Sequence, residues 1–200
     1  MELFEAIYAR RAVKHFDPQH RLSDAEIEKL FEAAIQSPTS FNMQNWRFVL
    51  VQDPELRKAV RAAANDQAQV TEASLVLLLT ANLKSWAQEP QRYWRNTPQE
   101  VQDILVPWMG PFYEGKDELQ RDEAMRSCGI AGQTIMLAAK AMGLDSCPMI
   151  GFDPEQVAKL IRLPEDHVIG FMITIGKAVK PAWPKPGQLP LSDVMVHDRF

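Results

Sequence analysis

The chain has 200 residues, 46% of them hydrophobic and 24% charged, which suits one compact core and departs from disordered, collagen-like and coiled-coil compositions. A formal net charge of −4, from 22 basic and 26 acidic side chains, gives no overall pull toward nucleic acid or an anionic membrane, and two cysteines cannot build a disulfide framework. No apolar run reaches the about 20 residues of a membrane helix, and Met1 to Glu5 lacks the basic and apolar start of a secretory signal, so a cytoplasmic single domain over 1–200 is expected, with neither nucleic acid nor membrane as partner.

A short amphipathic opening on Leu3, Phe4 and Ile7 leads into Arg10-Arg11-Ala12-Val13-Lys14. Ser23-Asp24-Ala25-Glu26 is a capping box, and Ile27, Leu30, Phe31, Ala34 and Ile35 continue it at helical spacing, predicting a helix from Ser23 to about Gln36. The same kind of start returns at Asp53-Pro54, Thr97-Pro98 and Asp153-Pro154, a capping side chain before a proline at the first helical position. Arg47 to Val51, Leu75 to Leu79 and Val168 to Ile175 are branched and apolar, as strands covered on both faces are. Arg121 to Met142 reads as a helix buried on several sides, Gly143 as its left-handed stop, and Leu144 to Gly151 as a short strand and turn. Helices and strands mix without strict alternation, so the class is α+β. The last stretch, with Pro181, Pro184, Pro186 and Pro190 before Val194, Val196 and Phe200, is extended and stiff; it is either a disordered tail or a segment packed on a surface, and a second subunit is the expected surface.

The chain lacks a Walker A loop, a G-x-G-x-x-G turn, an H-E-x-x-H pair and a G-x-S-x-G elbow, and its four histidines are scattered, so no metal site is expected. Cys128 and Cys147 read as inert core thiols. Two clusters carry chemistry. In 10–14, three cations in five residues either complement a helix C-terminus or clamp an anion, arginine forks and a lysine charge suiting a phosphate monoester. In Ser37-Pro38-Thr39-Ser40-Phe41-Asn42-Met43-Gln44-Asn45-Trp46, hydroxyls and amides beside an aromatic make either a polar loop or a surface that reads the edge of a heterocycle, because an amide offers donor and acceptor together.

Arg10-Arg11-Ala12-Val13-Lys14-His15-Phe16, the Ser37–Trp46 loop and Gly143-Leu144-Asp145-Ser146-Cys147-Pro148-Met149-Ile150-Gly151-Phe152, in that order, resemble the motifs of the FMN-dependent nitroreductases, and the likeness covers nearly the whole chain. The resemblance implies a nitroreductase-like α+β fold with a mostly antiparallel sheet, its C-terminal extension (about 178–200) exchanged across a homodimer, and FMN in the seam between subunits. Arg10, Arg11, Ala12 and Lys14 would hold FMN from one subunit, and Pro38, Thr39, Ser40 and Asn42 from the other. Gln67 or Gln69, with Asp66 an alternative, would meet the ring system; Pro148, Met149, Ile150 and Gly151 would face it. Lys185 and Gly187, in a stretch like the family's last phosphate contact, would complete the phosphate site. Ala12 stands where serine is common, Asn45 where proline is usual, Gly187 or Gln188 near a second basic position, and Ile150 at a position that some members make acidic.

The implied activity is hydride transfer from NAD(P)H to a flat acceptor such as a nitroaromatic or quinone, the two taking turns, with Lys14 as the catalytic cation and Phe41, Trp108 and Phe112 over the open face. A flavoenzyme leaves electron chemistry to its cofactor, which accounts for the missing acid–base pair. A non-catalytic phospholigand-binding dimer and a hydrolase using Cys147 or a serine are the rival readings.

Overall fold

The computed structural model describes residues 1–200. Eight helices, α1 (Leu3–Ala9), α2 (Asp24–Ala34), α3 (Pro54–Ala63), α4 (Gln69–Glu72), α5 (Gln99–Tyr113), α6 (Asp117–Ala141), α7 (Pro154–Leu160) and α8 (Leu191–Val194), accompany four strands, β1 (Trp46–Leu50), β2 (Leu75–Asn82), β3 (Asp145–Met149) and β4 (His167–Gly176). The strands form one antiparallel sheet in the order β1-β2-β4-β3.

Local chemistry sets the helix starts. The Ser23 hydroxyl accepts from the Glu26 N–H while the Glu26 carboxylate accepts from the Ser23 N–H, a reciprocal cap for α2. Asp53 caps α3 through the Leu56 N–H, and Asp153 caps α7 through those of Glu155 and Gln156. The Thr97-Pro98 start is corrected: α5 begins at Gln99 with Pro98 as its cap residue, because the Thr97 hydroxyl donates backward to the Trp94 carbonyl at 2.7 Å. The long helix α6 begins four residues before Arg121, and β2 runs three residues beyond Leu79.

The sheet is covered on both faces, and period-two alternation divides its side chains. Leu75, Leu77, Leu79, Ile173 and Ile175 face a core built with α2 and α6, whereas Val76, Leu78, Met172, Cys147 and Met149 face one built with α3 and α7. Where α6 crosses β4 the backbones approach closely. A Cβ on Gly132 would lie 2.2 Å from the Phe171 ring, and one on Gly170 would lie 2.7 Å from Cys128 Cβ. Gly170 also fills the register shift in the β2–β4 ladder, where Leu79 pairs with Phe171 but Thr80 pairs with Ile169.

The cationic segment joins the β3 edge. Ala12 bridges Ser146 in parallel, the Val13 N–H donates to the Ser146 carbonyl at 3.0 Å, and Phe16 bridges Ala178. Val13 and Phe16 bury themselves with Ala73 under Ala178 and Ala182, so the last stretch returns alongside the first. Beyond it, Leu189, Leu191, Val194, Met195, Val196 and Phe200 stand exposed, as do Leu3, Phe4 and Tyr8 of α1. No helix is long and apolar enough to cross a membrane.

Candidate functional site

The parallel bridge at Ala12 carries Arg10 and Lys14 to β3, beside Cys147. Burial pushes the Cys147 thiol up, while Lys14 and then Arg10 pull it down, an electrostatic mark of both cations on this strand. The Arg11 guanidinium donates to the Trp183 carbonyl, and Lys185 Nζ donates to the Tyr8 carbonyl at 2.8 Å. Arg10, Arg11 and Lys185 thus collect around the end of α1, with Lys14 two residues beyond the bridge. None of the four has a carboxylate partner, although Lys58, Arg61, Lys84, Arg126 and Lys140 do. Like charges gathered without counter-ions repel, and an anion removes that cost.

At the end of β3, amides converge on a turn. Gln67 Nε2 and Asn65 Nδ2 both donate to the Gly151 carbonyl, at 2.9 and 3.1 Å, and Gln69 Nε2 donates to Gln67 Oε1 at 3.0 Å. Gln69 is 4% exposed and lies against Met149 Sδ, so it braces Gln67 from beneath. Pro148, Ile150 and Gly151 face outward; Met149 alternates inward, leaving only its backbone for a ligand. The Ile150 and Gly151 N–H groups have no acceptor within the chain. Exposed cations at one end and unused N–H donors at the other fit an elongated ligand with an anionic tail and an acceptor-edged ring, as FMN is.

The Ser37–Trp46 loop lies elsewhere. It leads into β1, at the opposite edge of the sheet from β3, three strand spacings or about 14 Å away. Phe41, Asn42 and Gln44 all have left-handed backbones, an unusual density for non-glycine residues. Hydrogen bonds hold them there: the Asn42 amide donates to the Tyr93 carbonyl at 2.7 Å, and the Gln44 N–H donates to the Thr39 hydroxyl at 2.9 Å. Tyr113 donates to the Ser40 hydroxyl at 2.7 Å; burial pushes that phenol up, which keeps it a donor, with the Ser40 bond pulling weakly the other way. Pro38 is exposed and makes no hydrogen bond of its own, and Asn42 retains its amide oxygen for a ligand. Phe41 packs edge-on against Phe112 and Tyr113, ring centres 5.5 and 6.0 Å apart, while Trp108 stands 60% exposed on α5.

One chain therefore brings together Arg10, Arg11, Ala12, Lys14, Gln67, Gln69, Pro148, Met149, Ile150, Gly151 and Lys185, and sets Thr39, Ser40, Phe41, Asn42 and Phe112 apart from them. Gly187, two residues past Lys185, has a φ of +124°, and a Cβ there would meet only open space. Asn65 escaped the sequence reading; its only signal was an Asn-Asp pair after a helix, and both residues take left-handed backbones. Cys128 is no nucleophile, since burial pushes its thiol up to about 12. No cluster of three possible metal ligands occurs.

The profile of the Nitroreductase family matches residues 7–177. The chain is 54% identical over 200 residues to protein DrgA of Synechocystis sp. PCC 6803, covering 98% of this chain and 95% of that protein. It is 30% identical over 206 residues to an NADH dehydrogenase of Thermus thermophilus, with 96% and 93% covered. A nitroreductase-family structure from Exiguobacterium sibiricum 255-15, solved in complex with FMN, superposes with a TM-score of 0.91 at 28% identity, covering 99% and 98% of the two chains. The family match and these relatives make the protein an NAD(P)H-dependent flavin oxidoreductase that uses FMN, a cofactor whose shape the cationic edge and the donor-lined turn fit. The chain belongs to the nitroreductase family.

Proposed function

We propose that two copies of this chain form a homodimer that oxidises NAD(P)H and reduces a flat acceptor such as a nitroaromatic or quinone, donor and acceptor taking turns at one FMN face. The observation that carries the reading is the unpaired cationic edge continuous with the Ile150 and Gly151 N–H groups. FMN, when bound, would supply the two-electron redox chemistry between donor and acceptor. Arg10, Arg11 and Lys185 bind the phosphate, with Ala12 leaving room beside them. Lys14 presents a fixed cation where negative charge develops on the ring, a role that grows as water is excluded. Gln67, steadied by Gln69, holds the turn that offers its N–H donors. The loop with Pro38, Thr39, Ser40 and Asn42, on the far sheet edge of its own chain, serves the site of the second copy. Phe41 and Phe112 then form an apolar wall over the open face, with Trp108 at its rim.

Purified protein is expected to be yellow, to bleach anaerobically with NADPH or NADH, and to recover its colour with menadione or a nitroaromatic. A colourless protein that takes up no added FMN overturns the proposal. Colour that neither dinucleotide bleaches leaves a binding protein in its place.

A further inference from the structure

Beside the Phe41 loop, walled by its Asn42 and Gln44, lies a cavity of about 520 Å³. Arg47, Arg92 and Arg95 line it together with Asn42, Gln44 and Trp94, and no carboxylate does. Arg47 is half-buried; one of its terminal nitrogens braces the loop by donating to the Gln44 and Trp46 carbonyls at 2.9 and 2.8 Å, which leaves its other N–H groups without partners. Arg92 donates to the Tyr93 hydroxyl at 2.8 Å and lies over that ring, 4.9 Å from its centre. Arg95 makes no hydrogen bond or ion pair. A loop brace accounts for Arg47 and ring stacking for Arg92, but neither accounts for three arginines in the wall of one cavity in a chain of net charge −4.

We propose that this cavity is the subsite for a phosphate group of the dinucleotide donor, an inference that rests on the oxidoreductase reading above. Three arginines lining one cavity with no carboxylate among its walls suit phosphate oxygens, which guanidiniums bind in pairs. Asn42 lies in the cavity wall and in the loop that carries Phe41, so a donor whose nicotinamide reaches the Phe41 side leads its ribose and phosphates past Asn42 toward the arginines. Two groups on such a donor have this chemistry: the 2′-phosphate of NADPH, and the diphosphate that NADPH and NADH share.

The test uses the FMN-loaded enzyme and its Arg95→Gln variant, whose exposed side chain holds nothing in the fold. Binding of 2′-AMP and of ADP is measured by calorimetry, and KM and kcat are measured for NADPH and NADH. The expected result is a KM raised about tenfold with kcat unchanged, as loss of a charged hydrogen bond to a phosphate remote from the reacting atoms gives. If NADPH alone is affected and 2′-AMP loses affinity in parallel, the 2′-phosphate occupies the cavity; if both donors and ADP are affected, the diphosphate does. Unchanged KM values for both donors in an enzyme that still turns over overturn the inference and leave the proposed function standing. An FMN-loaded protein that oxidises neither donor removes the function reading, and loss of probe binding in Arg95→Gln still establishes the phosphate site.

Discussion

Gln67 Nε2 donates to the Gly151 carbonyl at 2.9 Å, and Asn65 Nδ2, two residues earlier, donates to the same oxygen at 3.1 Å. Two amides on one carbonyl fix the turn after β3, and with it the outward N–H groups of Ile150 and Gly151. Gln67→Leu keeps the side-chain volume and removes the donor. The change also removes the Gln67 bond to the Ala64 carbonyl and the oxygen that accepts from buried Gln69, so a net loss of about 1–3 kcal/mol is expected, read as an FMN dissociation constant raised about tenfold or more. Asn65→Ala is expected to be milder, and the double variant worse than the sum, because each amide partly covers for the other. Flavin fluorescence titration against the reconstituted apoprotein measures all three.

Lys14→Met tests a different quantity. Arg10, Arg11 and Lys185 remain to hold the phosphate, so FMN retention is expected to change little. Flavin reduction by NADPH in stopped-flow is expected to slow about tenfold, because a positioned cation acts where charge develops. Equal reduction rates in the two proteins would remove Lys14 from that role.

Gly132 and Phe171 set the spacing of α6 over β4. A Cβ at position 132 falls 2.2 Å from the ring, so Gly132→Ala is expected to cost about 1–3 kcal/mol, as overpacking does, and to lower Tm. Phe171→Leu shortens the obstructing side chain. Combined with Gly132→Ala it is expected to recover part of the loss, a coupling that denaturant titration of the four proteins reads directly.

Cys128 lies at the same crossing, where burial pushes its thiol from the ordinary 9.0 up to about 12. The raised folded value means that the neutral thiol stabilises the fold fully below pH 9. That contribution is lost as pH rises from 9 toward 12, where the unfolded thiol ionises and the folded one does not. Wild type is therefore expected to lose stability across that range more steeply than Cys128→Ala. Denaturant midpoints at about pH 8 and about pH 10.5 measure the difference; parallel slopes would exclude the thiol.

Features with local causes were legible in the sequence, such as the Ser23–Glu26 cap, the Asp53 and Asp153 starts, and the apolar runs of β2 and β4. The four cations and the 148–151 turn were legible as motifs, and the sheet brings them together through the bridge at Ala12. What stayed hidden depends on distant pairing. No local signal places the Ser37–Trp46 loop on the far edge of the sheet, since that follows from the order β1-β2-β4-β3. Asn65 finds its carbonyl at Gly151, and Arg47 shares a cavity with Arg95, across stretches where nothing in the intervening residues announces the meeting. The Thr97 start was misread because its hydroxyl had a nearer acceptor at Trp94.

The last segment provides the most direct test of the homodimer. Up to Lys185 it is tied to its own chain, through Ala178 and Ala182 packed over Val13 and Phe16 and through the Arg11 and Lys185 hydrogen bonds. After Gly187 it leaves that surface, and Leu191, Val194 and Val196 stand more than half exposed. Apolar groups at that density gain about 25 cal/mol per Å² when covered, and a second copy supplies the cover in the proposed assembly. Removing residues 188–200 spares Lys185 and touches no core residue. The shortened chain is therefore expected to keep its fold but to unfold at a lower denaturant concentration than the dimer, having lost the stabilisation of association, to sediment as a monomer at micromolar concentration, and to lose FMN on dilution, because loop 37–44 of a second copy no longer closes the site. A truncated protein that stays dimeric and yellow would show that the tail does not hold the seam.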